Sequence, residues 1–510
     1  MQKQNTQDDV INFLKTIAPS VIETHISMVF LDDKHAYKLK KALALPFVDF
    51  SQTEQRLAAC QDELRLNSRT APDMYLEVMP IYRHQDGQLS FKDDGHNNVL
   101  DAVLKMRRFK DKDLLSNLAK RNKLNSDIMT KLAQAIAEFH KAAEISSDHK
   151  GAKRIKDILE LNRKSESLVN KVLGHERMTE LNLLLEQEIN KHSDLLNSRA
   201  AAGKVRHCHG DLHLNNICLW RKTPTLFDCL EFNQSMATAD VLYDLAFLLM
   251  DLWRYERYDL ANWLMNRYMD RTNENDGLIL LPLFMSLRAS IRALVTATQI
   301  AHTDKQTDTS AQLNVAEQFL ELGFDLLKRP EAQLIAIGGL SGSGKSTLAK
   351  TLAPFIGAAP GARVLSSDRI RKQLFGVEPE ERLAAEKYTQ TSSNLVYRIQ
   401  KELSQEILKA GHSVIADAVF SKATERNAIE NSAKKLKCKF NGLWLEAPAQ
   451  QLMERVDART NDPSDATVEV VKMQLKLAPG EIHWPRLNSA QQPKDVSNQA
   501  LTLLQGQWPW

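Results

Sequence analysis

The amino-acid sequence predicts an α+β region of two lobes over residues 1–328, followed by an α/β domain with a parallel sheet over residues 329–510. Three observations support this prediction. Residues 1–107 are rich in short strand patterns, whereas residues 108–328 carry apolar residues mostly at helical spacing. After Pro330, strand and helix patterns alternate, which is typical of a parallel sheet covered by helices. A chain of 510 residues also exceeds the size of one hydrophobic core, so two or three domains are expected.

The small lobe, residues 1–107, is predicted to be a strand-rich unit with one main helix. Within it, Asp32-Asp33-Lys34 reads as the polar turn of a β-hairpin. The predicted elements of this lobe are a short helix at 8–17, strands at 21–31, 36–40, 74–80 and 99–106, and a helix at 53–67.

The second lobe, residues 108–328, is predicted to be mainly helical. Pro330 follows it and marks the best domain boundary, because proline interrupts both helices and central strands. Its helical patterns cover 113–120, 126–143, 152–173, 177–199 and 240–328, with short strands at 205–207 and 225–228. In the last domain, strands are predicted at 364–366, 413–416 and 442–445, with helices at 384–410 and 422–437.

Residues 334–350, LIAIGGLSGSGKSTLAK, contain the most specific motif of the chain. An apolar strand pattern leads into a full match to G-x-x-x-x-G-K-[ST], and a helix start follows. In this context the loop N–H groups and the helix N-terminus surround phosphate oxygens with partial positive charge. We expect Lys345 to reach the β- and γ-phosphates of ATP and the Ser346 hydroxyl to join a Mg²⁺ shell. The residues expected to hold the nucleotide are Gly339, Leu340, Ser341, Gly342, Ser343, Gly344, Lys345, Ser346 and Thr347.

A second constellation lies upstream, in HCHGDLHLNNI at 207–217 and FDCLEF at 227–232. Asp211 and Asn216 are five residues apart in a loop, and Asp228 follows a short apolar strand. This is the spacing of a kinase catalytic loop followed by a metal-binding aspartate. Asp211 suits the role of the base that orients an acceptor hydroxyl, while Asn216 and Asp228 supply the oxygen ligands that Mg²⁺ prefers.

These two motifs resemble those of the aminoglycoside phosphotransferase and choline kinase group of the protein-kinase-like fold. The resemblance implies a two-lobed kinase with ATP between the lobes, and an early strand lysine paired with a helix glutamate. The strand AYKLK offers Lys38 and Lys40 on one face, with Lys38 favoured. Glu63 is the preferred partner in the following helix, with Glu54 second. The group expects a glycine-rich loop over the phosphates less strictly than protein kinases do, and residues 24–36 contain no glycine.

Two further carboxylates follow predicted strands of the last domain, where ligands bind in parallel sheets. Asp368 is a candidate to orient or deprotonate an acceptor hydroxyl, and Asp417 to help order Mg²⁺ water or the substrate; each could instead cap the helix after it. Arg371 is suited to an anionic substrate group. The segment at 454–465 resembles the lid of small P-loop kinases, with Arg455 and Arg459 one helical turn apart, although both could simply be solvated. This domain is similar to the group that contains gluconate kinase, polynucleotide kinase, chloramphenicol phosphotransferase and zeta toxins.

Composition narrows the class of function. With 67 basic and 64 acidic residues the net charge is +3, which gives no drive towards nucleic acid or membranes. The five cysteines lack metal-binding spacing, which indicates reduced thiols of a cytoplasmic protein.

The order of the motifs along the chain is similar to that of bacterial fusions of an aminoglycoside phosphotransferase-like domain with a P-loop kinase-like domain. We therefore expect an ATP- and Mg²⁺-dependent phosphotransferase acting on small hydroxylated molecules; the alternative is a nucleotide-hydrolysing regulatory protein whose first domain only binds a ligand or is a pseudokinase.

Overall fold

The structure is a computed structural model that describes residues 4–24, 26–45, 48–96, 98–231, 233–303, 307–379, 381–459, 463–477 and 479–504. The chain divides into two compact units. The first unit contains Met1–Ile158 and Ser193–Asp251, and the second contains Leu159–His192 and Leu252–Trp510. The mixed α/β content, an antiparallel sheet near the N-terminus and a parallel sheet in the last third confirm the predicted fold class.

The N-terminal part of the first unit is a twisted antiparallel sheet with one helix on each face. The strands run in the order β1-β2-β3-β8-β6-β7. Val10 and Leu14 of the first helix pack with Phe30 and Leu39 on one face, and Cys60 of the second helix lies in the other hydrophobic cluster. The elements are α1 (Gln4–Ile17), β1 (Ser20–Glu23), β2 (Ser27–Leu31), β3 (His35–Lys40), β4 (Ala44–Leu45), β5 (Val48–Asp49), α2 (Thr53–Asn67), β6 (Tyr75–Arg83), β7 (Leu89–Ser90) and β8 (Val99–Arg107).

The predicted hairpin around residues 32–34 is confirmed, with Phe30 opposite Tyr37 in the β2–β3 pair. Its turn is held by the Asp32 carboxylate, which accepts the backbone N–H groups of Lys34 and His35 at 2.6 Å each. The strand predicted at 21–31 is in fact two strands, β1 and β2. The chain turns between them because the Thr24 hydroxyl accepts the backbone N–H of Ser27 at 3.0 Å, an arrangement that competes with a continuous strand.

The helical region contains more breaks than its periodicity predicts. The helices predicted at 152–173 and 177–199 are each two helices, interrupted at Lys164-Ser165 and at His192, where short polar side chains such as serine favour helix ends. The elements are α3 (Leu115–Lys120), α4 (Ser126–Ala142), α5 (Gly151–Arg163), α6 (Glu166–Leu173), α7 (Arg177–Lys191), α8 (Ser193–Ala201), β9 (Val205–His207), β10 (Ile217–Trp220), β11 (Thr223–Leu226), α9 (Gln234–Ala237), β12 (Thr238–Asp240), α10 (Val241–Arg254), α11 (Tyr258–Thr272), α12 (Leu281–His302) and α13 (Ser310–Leu326).

Among the described residues, one long and apolar helical segment is Asn275–His302, which contains α12. By length and composition this segment could cross a membrane, but 78% of its most apolar window is buried inside the protein. That degree of burial is expected of a core helix.

The last third of the chain is a five-stranded parallel sheet in the order β14-β15-β13-β16-β17. Ile335 and Ile337 of the central strand pack with Leu348, Ile415 and Leu443 in its core. The three-residue strand β17, Arg486–Asn488, was not predicted. The elements are β13 (Gln333–Gly339), α14 (Lys345–Leu352), β14 (Arg363–Ser366), α15 (Ser367–Leu374), α16 (Gln390–Lys409), β15 (Val414–Asp417), α17 (Ala423–Lys435), β16 (Lys439–Glu446), α18 (Ala449–Asp457), α19 (Val468–Lys476), β17 (Arg486–Asn488) and α20 (Pro493–Leu503).

The edge strand β14 is covered by helix α11, whose Asn266 precedes Val364 of that strand by 98 residues. The Asn266 side chain accepts the backbone N–H of Val364 at 2.7 Å and donates to the carbonyl of Ala362 at 3.2 Å. Asp270, one turn further along α11, forms an ion pair of 2.7 Å with Arg363. Helix α11 therefore belongs to the same compact unit as the parallel sheet, and the boundary between residues 328 and 329 stays a prediction.

Two candidate active sites

The loop after β9 carries the first candidate site, and a buried aspartate fixes its backbone. Asp244 on α10 accepts the N–H groups of His209 and Gly210 at 3.2 and 2.9 Å. The His140 ring lies 3.1 Å from the same carboxylate. Gly210 has a φ of +82°, and a Cβ there would come within 2.9 Å of the Leu230 Cβ, so only glycine fits. The loop thus leaves this turn in one defined direction.

Asp211 and Asn216, predicted from their spacing, are in direct contact. The Asn216 amide nitrogen donates to the backbone carbonyl and to the carboxylate of Asp211, at 3.0 and 2.9 Å. His213 lies 3.3 Å from the same carboxylate. Asp211 keeps 39% of its side chain exposed, so an acceptor hydroxyl can reach it. With its nitrogen engaged, Asn216 retains an amide oxygen as a ligand for a hard cation.

Asp228 follows β11 in a left-handed conformation, with a φ of +61°. Aspartate tolerates this region better than most residues, and its N–H donates to the Tyr75 hydroxyl at 3.0 Å, which holds the turn. The conformation directs the carboxylate to Lys38, whose Nζ lies 2.6 Å from Asp228 Oδ1.

Lys38 also contacts the helix glutamate that the sequence favours. Its Nζ lies 2.7 Å from Glu63 Oε1, whereas Glu54 is exposed at the start of α2. Lys40, the alternative lysine, lies 2.5 Å from Glu63 Oε2 and forms an ion pair with Glu231. Both lysines therefore converge on one buried carboxylate.

These contacts set the charge states at the first site. Burial alone would raise the pKa of Glu63, but the ammonium groups of Lys38 and Lys40 outweigh it and lower the pKa to about 2. Burial likewise opposes the charge of Lys38, yet the carboxylates, Asp228 foremost, raise its pKa well above the usual range. Glu63 and Lys38 therefore both carry their charges at neutral pH.

The phosphate loop is the second candidate site. Gly342 and Gly344 have φ values of +86° and +88°, and a Cβ at Gly342 would lie 2.5 Å from the Leu452 carbonyl oxygen. Lys345 donates to the carbonyl of Leu340 at 3.0 Å, and α14 begins at this lysine. The loop N–H groups and the helix N-terminus thus form the arrangement that binds phosphate oxygens.

The other predicted carboxylates of this domain lie beside the loop. Ser346 donates to Asp417 at 2.7 Å, so hydroxyl and carboxylate sit together as a magnesium shell requires. Asp368, in the first turn of α15, is half-buried. Its burial raises its pKa, against the opposing effect of a Ser464 hydrogen bond and the nearby cations of Lys345, Arg371 and Arg459. A carboxylate with a raised pKa beside a phosphate site is suited to proton transfer.

A single cleft of about 1150 Å³ connects these groups with the two predicted lid arginines. Arg455 donates to the carbonyls of Ser489 and Gly342, at 2.8 and 3.5 Å. Arg459 also lines the cleft. Residues 460–462 of the predicted lid lie outside the described residues.

Sequence reasoning assigned no individual role to two residues of this cleft, Gln474 and Asp465. Gln474 on α19 accepts the N–H of Ser341 at 2.9 Å and donates to its hydroxyl at 3.1 Å. Asp465 accepts the Tyr388 hydroxyl at 2.7 Å and forms an ion pair of 3.0 Å with Lys372. Asp465 was part of the predicted lid segment, whereas no local signal distinguishes Gln474 from any surface glutamine.

Two family models match this chain. Residues 49–265 match the phosphotransferase enzyme family, and residues 334–479 match an AAA domain family. The chain thus has one region that is similar to phosphotransferases and a second that is similar to AAA domains. The matched residues include Glu63, Asp211, Asn216 and Asp228 in the first region and the whole phosphate loop in the second. The two matches support a kinase-type phosphotransferase.

Relatives and solved structures extend the comparison. Uncharacterized proteins of Mycobacterium tuberculosis and Mycobacterium bovis are 28% identical over 478 residues, covering 91% of this chain and 90% of theirs. A gluconokinase from Sinorhizobium meliloti is 22% identical over 35% of this chain and 93% of its own, with a TM-score of 0.26. The GDP complex of an aminoglycoside 2′-phosphotransferase is 14% identical over 63% of this chain and 97% of its own, with a TM-score of 0.39.

Proposed function

We propose that this protein is an ATP-dependent phosphotransferase with two nucleotide sites, each moving a γ-phosphoryl group to a hydroxyl of a small molecule. The observation that carries the proposal is a repeated set of groups. Each site contains a carboxylate suited to an acceptor hydroxyl, a lysine suited to phosphates and oxygen atoms suited to Mg²⁺, and these residues support the proposal. These are the parts that phosphoryl transfer needs, because catalysis there is mostly positioning and charge stabilisation.

At the first site, Asp211 is the residue proposed to accept the proton of the attacking hydroxyl. Lys38, held by Glu63, would contact the phosphates, and Asn216 and Asp228 would hold the metal. The bound Mg²⁺ would neutralise the charge that develops on the transferred group. In this structure Lys38 and Asp228 form an ion pair. On nucleotide binding, Lys38 would contact the phosphates instead, and Asp228 would contact the metal.

At the second site, the phosphate loop and Lys345 would hold the β- and γ-phosphates, with Ser346 and Asp417 at the metal. Asp368 is the residue proposed to orient or deprotonate the acceptor. Arg455 and Arg459, which line the same cleft, would contact the phosphates. Guanidinium groups suit this role because their fork of N–H donors matches phosphate oxygens.

The proposal places the protein in the cytoplasm, with nucleotide and a small hydroxylated molecule as its partners, and without a role for membrane or nucleic acid. The cysteines support this location. All five are free thiols, and burial raises the pKa of Cys60 and Cys218 to about 12, which keeps these two protonated and unreactive.

One experiment tests the proposal. The full chain is incubated with γ-labelled ATP, Mg²⁺ and a deproteinised metabolite extract, and the labelled products are separated. Label in new small molecules is expected from the unmodified protein, with different products lost in Lys38→Met and in Lys345→Ala. Label found only in free phosphate would instead support the nucleotide-hydrolysing regulatory protein, and label in neither would contradict both functions.

A further inference from the structure

Lys38 and Lys40 form ion pairs with the same carboxylate, Lys38 with Glu63 Oε1 and Lys40 with Glu63 Oε2. The proposed transfer at the first site uses only Lys38. Lys40 is a fully buried ammonium without a task in that reaction. Because an ammonium group is costly to remove from water unless it is paired, its presence needs a physical reason.

The two lysines differ in depth. The Lys38 side chain keeps 11% of its surface exposed and reaches Asp228, whose own side chain is 39% exposed. The Lys40 side chain is 0% exposed, and the Phe50 ring lies 5.6 Å from its Nζ. Lys38 is therefore accessible to a nucleotide, whereas Lys40 is fully buried.

The second partner of Lys40 explains its position. Lys40 forms an ion pair with Glu231, three residues beyond Asp228 in the segment that leaves β11. It thereby ties strand β3, helix α2 and the Asp228 segment together at one point. Without Lys40, the single ammonium of Lys38 would face three carboxylates, namely Glu63, Asp228 and Glu231.

We propose that Lys40 and Glu231 are a positioning pair, which holds Glu63 in place so that Lys38 is presented to the phosphates of the nucleotide. The pair acts through Glu63 and Lys38 and does not touch the substrate. This inference rests on the proposed function of the first site. It also assigns different roles to Lys38 and Lys40, which the strand pattern alone does not distinguish.

The test uses the full chain carrying Lys345→Ala, which leaves the first site as the nucleotide site, and MgATP as the probe in calorimetry. We expect Lys40→Met to weaken MgATP binding about tenfold or more, as loss of supporting residues around a metal site commonly does. Adding Glu231→Gln should restore no affinity, because Glu63 Oε2 still lacks its ammonium partner. In a Lys38→Met chain, Lys40→Met should cause no further loss, because Lys40 acts through Lys38.

Lys41→Met is the matched control. Lys41 lies directly after strand β3, but it contacts Glu23 and the Thr24 carbonyl, each at 2.6 Å, so its removal should leave MgATP affinity unchanged.

Circular dichroism checks that each variant folds. If Lys40→Met does not fold, Lys40→Arg replaces it, and near-parent affinity is expected because the charge is kept. Four results would each overturn the positioning pair. They are a Lys40→Met chain that binds like the control, a double variant with Glu231→Gln that binds like the parent, a further loss in the Lys38→Met chain, and a folded Lys40→Arg chain with tenfold weaker binding. Absence of MgATP binding in the Lys345→Ala parent would instead overturn the proposed function of the first site.

Discussion

The hydroxyl of Ser346 donates a 2.7 Å hydrogen bond to the carboxylate of Asp417, joining the phosphate loop to the end of the neighbouring strand β15. The two residues are 71 positions apart in the chain. They come together because parallel pairing of β13 with β15 brings the carboxyl ends of both strands to one edge of the sheet.

This pair predicts the magnesium dependence of the second site. Asp417→Asn removes the charge that orients the Ser346 hydroxyl, so the Mg²⁺ concentration for half-maximal nucleotide binding should rise about 10- to 100-fold. A magnesium titration of nucleotide binding measures this. The exposed Asp457 on α18 offers a control, and Asp457→Asn should leave the titration unchanged. An unaltered titration in Asp417→Asn would show that the carboxylate only caps the local structure.

Nucleotide stoichiometry checks whether two sites exist. Calorimetry with a non-hydrolysable ATP analogue should give two nucleotides per chain for the unmodified protein. Lys345→Ala should give one, because the loop loses the cation that faces the phosphates. Lys409→Ala, an exposed lysine at the end of α16, should keep two. A value of two in Lys345→Ala would contradict the assignment of the phosphate loop.

Asp211→Asn should separate chemistry from folding at the first site. The substitution keeps the shape of the side chain that contacts Asn216 but removes its basicity. Turnover at this site should fall about 10²- to 10⁴-fold, the usual contribution of a positioned base. Label transfer in a chain that also carries Lys345→Ala measures the loss. Unchanged transfer would mean that Asp211 does not serve the acceptor hydroxyl.

Asn266 should be needed for the edge of the parallel sheet. Asn266→Ala leaves the N–H of Val364 without its partner, which costs about 1–3 kcal/mol for a buried donor. Hydrogen exchange followed by mass spectrometry should show faster exchange across β14 and α15. Asn190→Ala, an exposed asparagine on α7, should leave that exchange unaltered.

The Glu63 carboxylate predicts an acid-sensitive contribution to stability. Its pKa of about 2 in the folded chain lies below the ordinary 4.5, so its ion pairs with Lys38 and Lys40 stabilise the fold fully above pH 4.5. This stabilisation is lost as the pH falls from 4.5 towards 2, where the carboxylate takes up a proton. Denaturant unfolding at several pH values should therefore show a shallower acid dependence for Glu63→Gln. An equal slope in both proteins would mean that the network carries no such charge.

The fold class and both family resemblances were predictable because their signals are local. The phosphate loop is one contiguous motif flanked by its own strand and helix, and its glycines adopt the positive φ values that the motif implies. Asp211 and Asn216 lie in one short loop, so their spacing alone brings them together. The breaks within the helical region were less predictable, because apolar periodicity continues across them.

By itself, the sequence determined which residues are candidates for phosphoryl transfer, since the backbone geometry of a short motif depends on neighbouring residues. The tertiary structure decided how those residues are supported. Lys40 and Glu231 are 191 positions apart, and Asn266 and Val364 are 98 apart. Neither contact can be predicted from sequence periodicity, because such contacts depend on how whole helices and strands pack together. The difference between Lys38 and Lys40 arises in the same way, since both occupy one strand face and only the surrounding helix and loop bury one more deeply than the other.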